Sequence, residues 1–389
     1  MHQKKQVLFV CYGLGIGGIE KCLVNLLNVL PEERYDIDVL LMSPDRGMKP
    51  QIRRNLHFYD EFEYILYSGG AMEAIRSRGG IGRHPGKFLK LLLFRQLDRK
   101  GGNGYKLFRK LPKAYDIAIS YSQNGYGLYY VADKVRADRK VLWYHNGAYD
   151  PTPEELEKHR LYYPRFDSIV AVSEDCARVL REKLPQISEK LLVLRNFCDC
   201  DAIRENARAF LPRGFDTGAH HIVTVGRLTE EKGALTALEV CRILRDRGRN
   251  VCWHWVGDGA QAPEAAQKAR ELGLEKHFLL EGNQSNPYPF VAAAEIYVQP
   301  SFYEAYSTTV TEAKVLARPM VVTDVGGMRD QLTHGENALI VPVDPVKMAD
   351  AVQQLLEQEE LRRKFRDSLE GCGFDTDGVL RTYEETVLK

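Results

Sequence analysis

The chain has 389 residues, more than a single hydrophobic core usually serves, which predicts two domains. Hydrophobic residues make up 44% and charged residues 28% of the sequence, as in an ordinary soluble globular protein. The formal net charge of +1 excludes a nucleic-acid binder that works through the charge of the whole chain, although a local patch stays open. The eight cysteines form no C-x-x-C pair and have no companion histidines at zinc spacing, so we expect reduced, buried thiols in a cytoplasmic protein.

The N-terminal segment predicts a buried strand rather than a secretion signal. Its apolar run, Val7–Tyr12, is short and meets Glu20 instead of a small-residue cleavage site. The next glycines, Gly13-x-Gly15-x-Gly17-Gly18, precede an apolar-periodic helix and satisfy the dinucleotide pattern G-x-G-x-x-G. A dehydrogenase therefore stays an alternative here, although the acidic residue that it needs after the second strand comes late, at Asp45. A tight strand-to-helix turn without a ligand is a second alternative.

Residues 76–113 are strongly basic, and Asp98 is their single acidic residue. They include the apolar cluster Phe88–Phe94. A basic amphipathic helix of this kind often lies on anionic membrane surfaces. The alternative is a helix that docks on its own domain and leaves a solvated basic face. Elsewhere no apolar run approaches the roughly 20 residues that a membrane-spanning helix needs.

Apolar strands then alternate with helical segments, and His145 directly follows one of them. A lone histidine is more often structural, but the carboxyl end of a strand is where ligands bind in parallel sheets. The segment Arg204–Gly218 lacks periodicity and predicts a linker. We therefore expect domains at 1–205 and 206–373. The Trp253-His254-Trp255 run predicts strand core, with no role for His254.

The βα alternation restarts after the linker. The loop Val225–Gly233 lies between a strand and a helix and carries two cations, Arg227 and Lys232, which suit phosphate oxygens. Further on, Glu304 falls in a loop after a strand, and Glu312 falls in the next helix. Each glutamate has a simpler interpretation, because Thr309-x-x-Glu312 fits a helix capping box and Glu304 fits a solvated loop.

These segments resemble glycosyltransferase family 4, the retaining nucleotide-sugar transferases of GT-B fold. The family shows a G-R-L…K-G loop, then P-S…E-x7-E, then a proline-led strand followed by G-G, and this chain has each in order. It departs at Ala305 and Ser307, where the family usually has glycines. The resemblance implies an α/β fold with two Rossmann-like domains, whose parallel sheets face an interdomain cleft. The final helix, within 374–389, would cross back to the first domain.

The resemblance also implies a hexosyltransferase that uses a nucleotide-diphosphate sugar, with UDP as the expected carrier. The acceptor would be a saccharide or a lipid-linked saccharide in cell-surface polysaccharide or glycolipid synthesis, which would place the protein in the cytoplasm with possible peripheral contact to the inner face of the membrane. No metal or other cofactor is expected, because cations occupy the phosphate site. The implied donor contacts fall on both halves of the chain: Gly17, Gly18, Arg227, Lys232, Ser307 and Thr308 at the phosphates, Glu312 at the ribose, Gly282 and Asn283 at the base, and Glu304 and His145 at the sugar.

Two other functions stay open. A nucleotide-sugar epimerase of the same fold would turn over without an acceptor. A protein that binds a sugar nucleotide without catalysis would show no turnover at all, although the presence of both glutamates and both cations argues against it.

Overall fold

The structure is a computed structural model that describes residues 3–43, 45–59, 85–99, 103–123, 126–147, 149–215, 218–371 and 373–389. The chain forms two compact units. The first comprises Met1–Phe197 together with Asp377–Lys389, and the second comprises Cys198–Thr376.

The first unit is built on a parallel sheet. In the described residues it has seven strands in the order β3-β2-β1-β4-β5-β6-β7. One of its interior strands is apolar on both faces, with Val7–Val10 fully buried, as is typical of a parallel sheet covered on both sides. The strands are β1 (Lys5–Cys11), β2 (Tyr35–Leu41), β3 (His57–Tyr59), β4 (Tyr115–Ser120), β5 (Ala137–Tyr144), β6 (Ser168–Ala171) and β7 (Leu191–Val193).

The helices of the first unit follow the strands in sequence. They are α1 (Gly18–Val29), α2 (Pro85–Arg99), α3 (Gly127–Lys134), α4 (Pro153–Tyr162) and α5 (Glu174–Lys183), and the last helix, α13 (Thr376–Thr386), joins them from the C-terminus. Tyr383 of α13 stacks on Trp143 at 5.2 Å between ring centroids, and its hydroxyl donates to the Arg195 carbonyl. Glu384 accepts from Arg34 at 3.1 Å. These contacts explain why the C-terminal segment belongs to the first unit.

Helix α2 packs against its own unit and also exposes apolar side chains, whereas its contact with a membrane stays a prediction. It docks on its own unit through Leu91 and Phe94, which are buried. Its other side exposes Leu89, Leu92 and Leu93, which are 68%, 46% and 43% exposed. The remaining parts of the basic stretch at 76–84 and 100–102, and the side chains of 85–88, lie outside the described residues. Among the described helices, none has the length and apolar character to cross a membrane.

The second unit repeats the architecture. Its parallel sheet has the order β10-β9-β8-β11-β12-β13. The strands are β8 (His220–Val225), β9 (Val251–Val256), β10 (Phe278–Gly282), β11 (Ile296–Gln299), β12 (Met320–Thr323) and β13 (Leu339–Val341). The helices are α6 (Cys200–Asn206), α7 (Ala234–Asp246), α8 (Ala262–Glu271), α9 (Tyr288–Ala293), α10 (Thr308–Val315), α11 (Pro345–Glu357) and α12 (Glu359–Gly371).

The boundary between the units lies before α6 rather than after it. The sequence predicts a boundary at 205/206, because the non-periodic linker is the visible signal there. In the structure Cys200 and Ile203 of α6 form one buried cluster with Tyr288 and Val315 of the second unit. Packing of this short helix therefore moves the start of the second unit to Cys198.

The described cysteines are not paired in disulfides, and most of them are buried. Burial raises the pKa of the Cys252 thiol to about 11 and that of Cys241 to about 12, so both are protonated at neutral pH.

Candidate functional site

The candidate site of the second unit lies at the carboxyl ends of β8, β9 and β10. The backbone joins these ends directly: the Gly226 amide donates to the Val256 carbonyl at 3.0 Å, and the Gly257 amide donates to the Gly282 carbonyl at 2.8 Å. Asn283 follows Gly282 and is exposed. The predicted base-contacting residues therefore lie at the same sheet edge as the loop that carries Arg227 and Lys232.

Gly233 lets that loop approach the end of β11. It adopts a left-handed conformation with φ of 75°, and a Cβ atom there would lie 2.1 Å from the Pro300 carbonyl oxygen. Any side chain at this position would collide with backbone that cannot move away. The glycine of the K-G pair thus brings Lys232 next to the loop that carries Glu304.

Lys232 and Glu304 form a buried ion pair. The Lys232 Nζ lies 2.7 Å from the Glu304 Oε1, and their side chains are 19% and 8% exposed. The same carboxylate oxygen accepts from the Ser301 hydroxyl at 2.8 Å. This burial excludes a solvated loop carboxylate at Glu304.

A buried polar network supports Glu304 from the strand beneath it. Gln299, at the end of β11, donates to Ser301 at 2.8 Å and accepts from Tyr297 at 2.5 Å and from Thr309 at 3.2 Å. Gln299 and Ser301 are both completely buried. Neither residue is predicted from the sequence, although a glutamine at the end of an apolar strand is a visible signal.

Glu312 is held inside α10 rather than at its start. The helix is capped by Ser307, whose Oγ accepts from the Val310 amide, so Thr309 lies within the first turn and does not cap it. This geometry excludes the capping-box interpretation. Glu312 is buried, and the Tyr288 hydroxyl lies 3.5 Å from its Oε1.

Both glutamates act on one neighbouring tyrosine. Burial raises the pKa of Tyr297 above its usual range, and the charges of Glu312 and Glu304 raise it further. The two carboxylates, one on the loop and the other on α10, are therefore both close enough to this buried phenol to influence its pKa.

The start of α10 is positioned by the G-G pair. Gly327 has φ of 74°, and a Cβ atom there would lie 2.1 Å from the Ala305 carbonyl oxygen. The turn after β12 therefore packs against the loop that leads to Ser307 and Thr308. The Ser307 side chain already bonds within the helix start, and the Thr308 residue is half-buried.

Arg227 is more open than Lys232. Its side chain is 60% exposed and pairs with Glu231, with 2.5 Å between Nη2 and Oε1. Glu231 also accepts from the Tyr303 hydroxyl at 3.1 Å. Exposed pairs of this kind contribute little stability, so the guanidinium can exchange its partner at low cost.

Gly17, Gly18 and His145 lie in the first unit. Gly17 precedes α1 and Gly18 begins it, without a side-chain cap. Next to this turn is a cavity of about 280 Å³ at the ends of β1 and β4, lined by Cys11, Tyr12, Gly13, Ile19, Glu20, Leu23, Tyr121 and Ser122. Roles for Gly17 and Gly18 at a phosphate stay predictions.

His145 is a buried, neutral imidazole at the end of β5. Its ring lies 5.0 Å from the tilted ring of Tyr121, and in the described part of the chain neither ring nitrogen has a hydrogen-bond partner of standard geometry. Burial lowers its pKa to about 3, and a weak contact with the Tyr121 backbone offsets part of that shift. The ring therefore carries no charge at neutral pH, and its role at the sugar stays a prediction.

Comparison with known proteins covers both halves of the chain. Residues 16–202 match the family model described as Glycosyltransferase Family 4, and residues 208–369 match the model described as Glycosyl transferases group 1. The alpha-D-kanosaminyltransferase of Streptomyces kanamyceticus is 29% identical over 229 residues, which are 56% of this chain and 58% of that protein. An N-acetylgalactosamine-N,N'-diacetylbacillosaminyl-diphospho-undecaprenol 4-alpha-N-acetylgalactosaminyltransferase of Campylobacter jejuni is 27% identical over 210 residues, 53% of this chain and 55% of that protein. The chain thus spans somewhat more than half the length of these curated relatives.

Among solved structures, Anabaena Alr3699/HepE in complex with UDP superposes with a TM-score of 0.73 at 17% identity, covering 98% of this chain and 99% of that one. This likeness shows the fold, which is GT-B as the sequence predicts. The sheet orders, the two family models and the structural match agree, and the chain belongs to the glycosyltransferases of the family 4 type.

Proposed function

We propose that the protein is a retaining glycosyltransferase that moves a hexosyl group from a UDP-sugar to a saccharide or lipid-linked saccharide acceptor. The product would belong to a cell-surface polysaccharide or glycolipid. The observation that carries the proposal is the buried pair of Lys232 and Glu304, held by Gln299 and Ser301 at the carboxyl ends of the strands.

The leaving group needs fixed positive charge, because negative charge grows on the diphosphate as the glycosidic bond breaks. Lys232 supplies a largely buried ammonium and Arg227 an exposed guanidinium that can bind two oxygens at once. When the donor binds, its phosphate takes over part of the bonding of Lys232, and Glu304 turns to the sugar hydroxyls.

The nucleotide is placed by residues around this pair. A carboxylate accepts hydrogen bonds from both ribose hydroxyls, and we assign that part to Glu312. Gly282 and Asn283 at the end of β10 would meet the base. Structures of the Anabaena relative with UDP and with UDP-glucose support UDP as the carrier.

Retention follows the same-face course of the family resemblance. The bond from the anomeric carbon to the phosphate oxygen breaks, and a bond to the acceptor oxygen forms on the same face. The acceptor proton passes to the leaving phosphate. Glu304 positions the sugar for this step by holding its hydroxyls, rather than by forming a covalent bond.

No divalent metal enters this proposed transfer. The phosphate charge is met by Arg227 and Lys232. The chain does contain Asp-x-Asp pairs, but two of them have other partners: Asp38 of Asp36-x-Asp38 binds Lys113 at 3.1 Å and Tyr115 at 2.8 Å, and Asp199 of Asp199-x-Asp201 caps α6.

A lipid-linked acceptor would require the protein to work at a membrane surface. The outward side of α2 fits that requirement, because it carries exposed Leu89, Leu92 and Leu93 together with the exposed cations Lys90 and Arg95. The name of the Campylobacter relative includes a diphospho-undecaprenol group, which supports a lipid-linked acceptor here.

The test is a donor panel followed by an acceptor panel. Purified protein is screened against nucleotide sugars by thermal shift, and the donors that bind are then assayed for turnover with and without saccharide and polyprenyl-diphosphate acceptors. We expect acceptor-dependent release of UDP and retention of the anomeric configuration by NMR. Glu304→Gln should abolish most turnover, whereas Glu264→Gln, on the surface of α8, should not. Isomerisation of the donor without an acceptor would establish an epimerase, and binding without any turnover would establish a non-catalytic binder.

A further inference from the structure

Three potential metal ligands meet on one face of the second sheet, away from the residues described above. His221 in β8 pairs in register with Cys252 in β9, and His254 lies two residues beyond Cys252. Because side chains two residues apart in a strand point to the same face, the sheet register brings all three together. All three residues are buried.

The distances between the ligand atoms of these residues are close to those between the ligands of one metal ion. His221 Nδ1 and His254 Nε2 are 3.0 Å apart, and one ligand atom from each of the three residues lies within 4.8 Å of the others. Two nitrogens that bind one tetrahedral zinc ion at about 2.0–2.1 Å lie roughly 3.3 Å apart. The histidine pair therefore needs to open by only a few tenths of an ångström, and the sulfur needs to move inward.

The surroundings complete the chemistry of such a site. His254 Nδ1 lies 2.7 Å from the Glu281 carboxylate, the arrangement in which a carboxylate orients a metal-binding imidazole. Together, a Cys252 thiolate and Glu281 would balance the two positive charges of the ion. Phe215 stacks on both rings, at 4.6 Å from His221 and 4.1 Å from His254, and covers the cluster.

A simpler explanation accounts for part of this arrangement. Glu281, His254 and His221 form a chain of hydrogen bonds that satisfies a buried pair of histidines without any ion. That chain does not involve Cys252. The thiol beside the two nitrogens is therefore the feature that separates a metal site from a hydrogen-bond chain.

We propose that His221, Cys252 and His254 bind a zinc ion that stabilises the second unit. Two imidazole nitrogens and one thiolate are a ligand set typical of zinc, with a fourth position left for water. Binding would release the proton of the Cys252 thiol. The proton that lies between His221 Nδ1 and His254 Nε2 would move to Nε2 of His221, so that both facing nitrogens can bind the ion. His221 is near the start of β8 and Arg227 follows its end, so the ion would hold the strands at the edge opposite the phosphate loop.

The first test uses the protein purified without chelator, then stripped and reloaded. We expect about one zinc per chain by elemental analysis, and a higher melting temperature of the reloaded protein than of the stripped one. Substitution with cobalt should give a thiolate-to-metal charge-transfer band in the near ultraviolet. No stabilisation by zinc and no such band would overturn the proposal.

The decisive variant is Cys252→Ser. It keeps the hydrogen-bond chain intact, so the metal-free variant should melt close to the metal-free wild type. It should, however, lose the zinc-dependent shift and the cobalt band. Cys176→Ser, which changes a buried cysteine of the first unit, should keep both signals. An unchanged zinc shift in Cys252→Ser would show that the ion, if bound, uses other ligands.

Discussion

At the scale of residues, the candidate site depends on the partner that each charge has before the donor arrives. Lys232 is largely buried and bonded to Glu304, whereas Arg227 is largely exposed and bonded to Glu231. Removing one member of a buried pair leaves the other without compensation, which is more costly than breaking a surface pair. The two cations should therefore respond differently to substitution.

We expect Lys232→Ala to weaken UDP binding more than Arg227→Ala does. Each charge-assisted bond to phosphate contributes about 1.5–3 kcal/mol, which corresponds to a loss of roughly 10- to 150-fold in affinity. Titration calorimetry with UDP measures both variants. Lys268→Ala on α8 serves as the control for loss of an ordinary surface lysine. Unchanged affinity in both variants would place the phosphate site elsewhere.

The two glutamates should separate binding from turnover. Glu312→Gln replaces the proposed ribose acceptor, so we expect weaker UDP binding. In the donor complex Glu304 is assigned to the sugar, which UDP lacks, and its neutralisation removes a partner that competes with phosphate for Lys232. UDP affinity in Glu304→Gln should therefore be no weaker than in the wild type, while kcat falls. Calorimetry and a UDP-release assay on the same preparations make the comparison. Normal turnover in Glu304→Gln would mean that its buried pair with Lys232 is structural only.

His145 should remain neutral throughout the physiological range. Its folded-state pKa of about 3 lies below the ordinary value of about 6.5, so protonation favours the unfolded chain and stability falls as pH drops below about 6.5. The histidine Cε1–H resonance that disappears in His145→Asn should not shift between about pH 8 and 5. A titration midpoint near the ordinary value would show instead that the ring is solvated.

At the scale of elements, glycines set how closely the loops of the second unit approach one another. Gly233 contacts the Pro300 carbonyl and Gly327 contacts the Ala305 carbonyl, so two separate turns fix the loop that carries Glu304 from both sides. The chain has Ala305 where the family usually has glycine. Ala305 is accommodated because Gly327, in the opposite turn, is the residue that lacks a side chain where the backbone approaches the Ala305 carbonyl.

Helix α2 provides the test of membrane contact. We expect reversible, salt-sensitive binding to vesicles that contain phosphatidylglycerol, because each exposed Lys or Arg near an anionic surface contributes about 1 kcal/mol. The double variant Lys90→Glu/Arg95→Glu should pellet less in co-sedimentation. Arg270→Glu/Lys276→Glu, which makes the same charge change on the second unit, should pellet like the wild type. Equal pelleting with neutral and anionic vesicles, or none with either, would leave α2 as a solvated helix.

At the scale of the whole molecule, we expect glycosyl transfer and thermal stability to depend differently on metal ions. We expect glycosyl transfer to persist in EDTA at temperatures well below unfolding, since Arg227 and Lys232 meet the charge of the leaving diphosphate. Removal of zinc from the cluster around Cys252 should lower the melting temperature without changing the initial rate. Complete loss of transfer that magnesium or manganese restores would contradict this account of the leaving group.

Sequence patterns were sufficient to predict an element or a site position wherever the signal lies within one short segment. Runs such as Val251–Val256 and Ile296–Val298 predict strands that the structure confirms, because continuous apolar runs bounded by turns are typical of covered parallel strands. The positions of Arg227, Lys232, Glu304 and Glu312 after strands or in the following helix also came from local spacing. The short strands β3 and β13 were missed, since each has only three residues and makes little pattern of its own.

Tertiary structure decided every feature that joins distant segments. Lys232 and Glu304 are 72 positions apart, and His221 and His254 are 33 apart, so no spacing rule connects them. Strand order and register bring them together. The same is true of α6, whose sequence suits either unit and whose place is set by packing against Tyr288 and Val315. Sequence alone therefore determined most of the elements and the family of this protein. Pairing between strands determined which side chains meet, because contact depends on the sheet and not on distance along the chain.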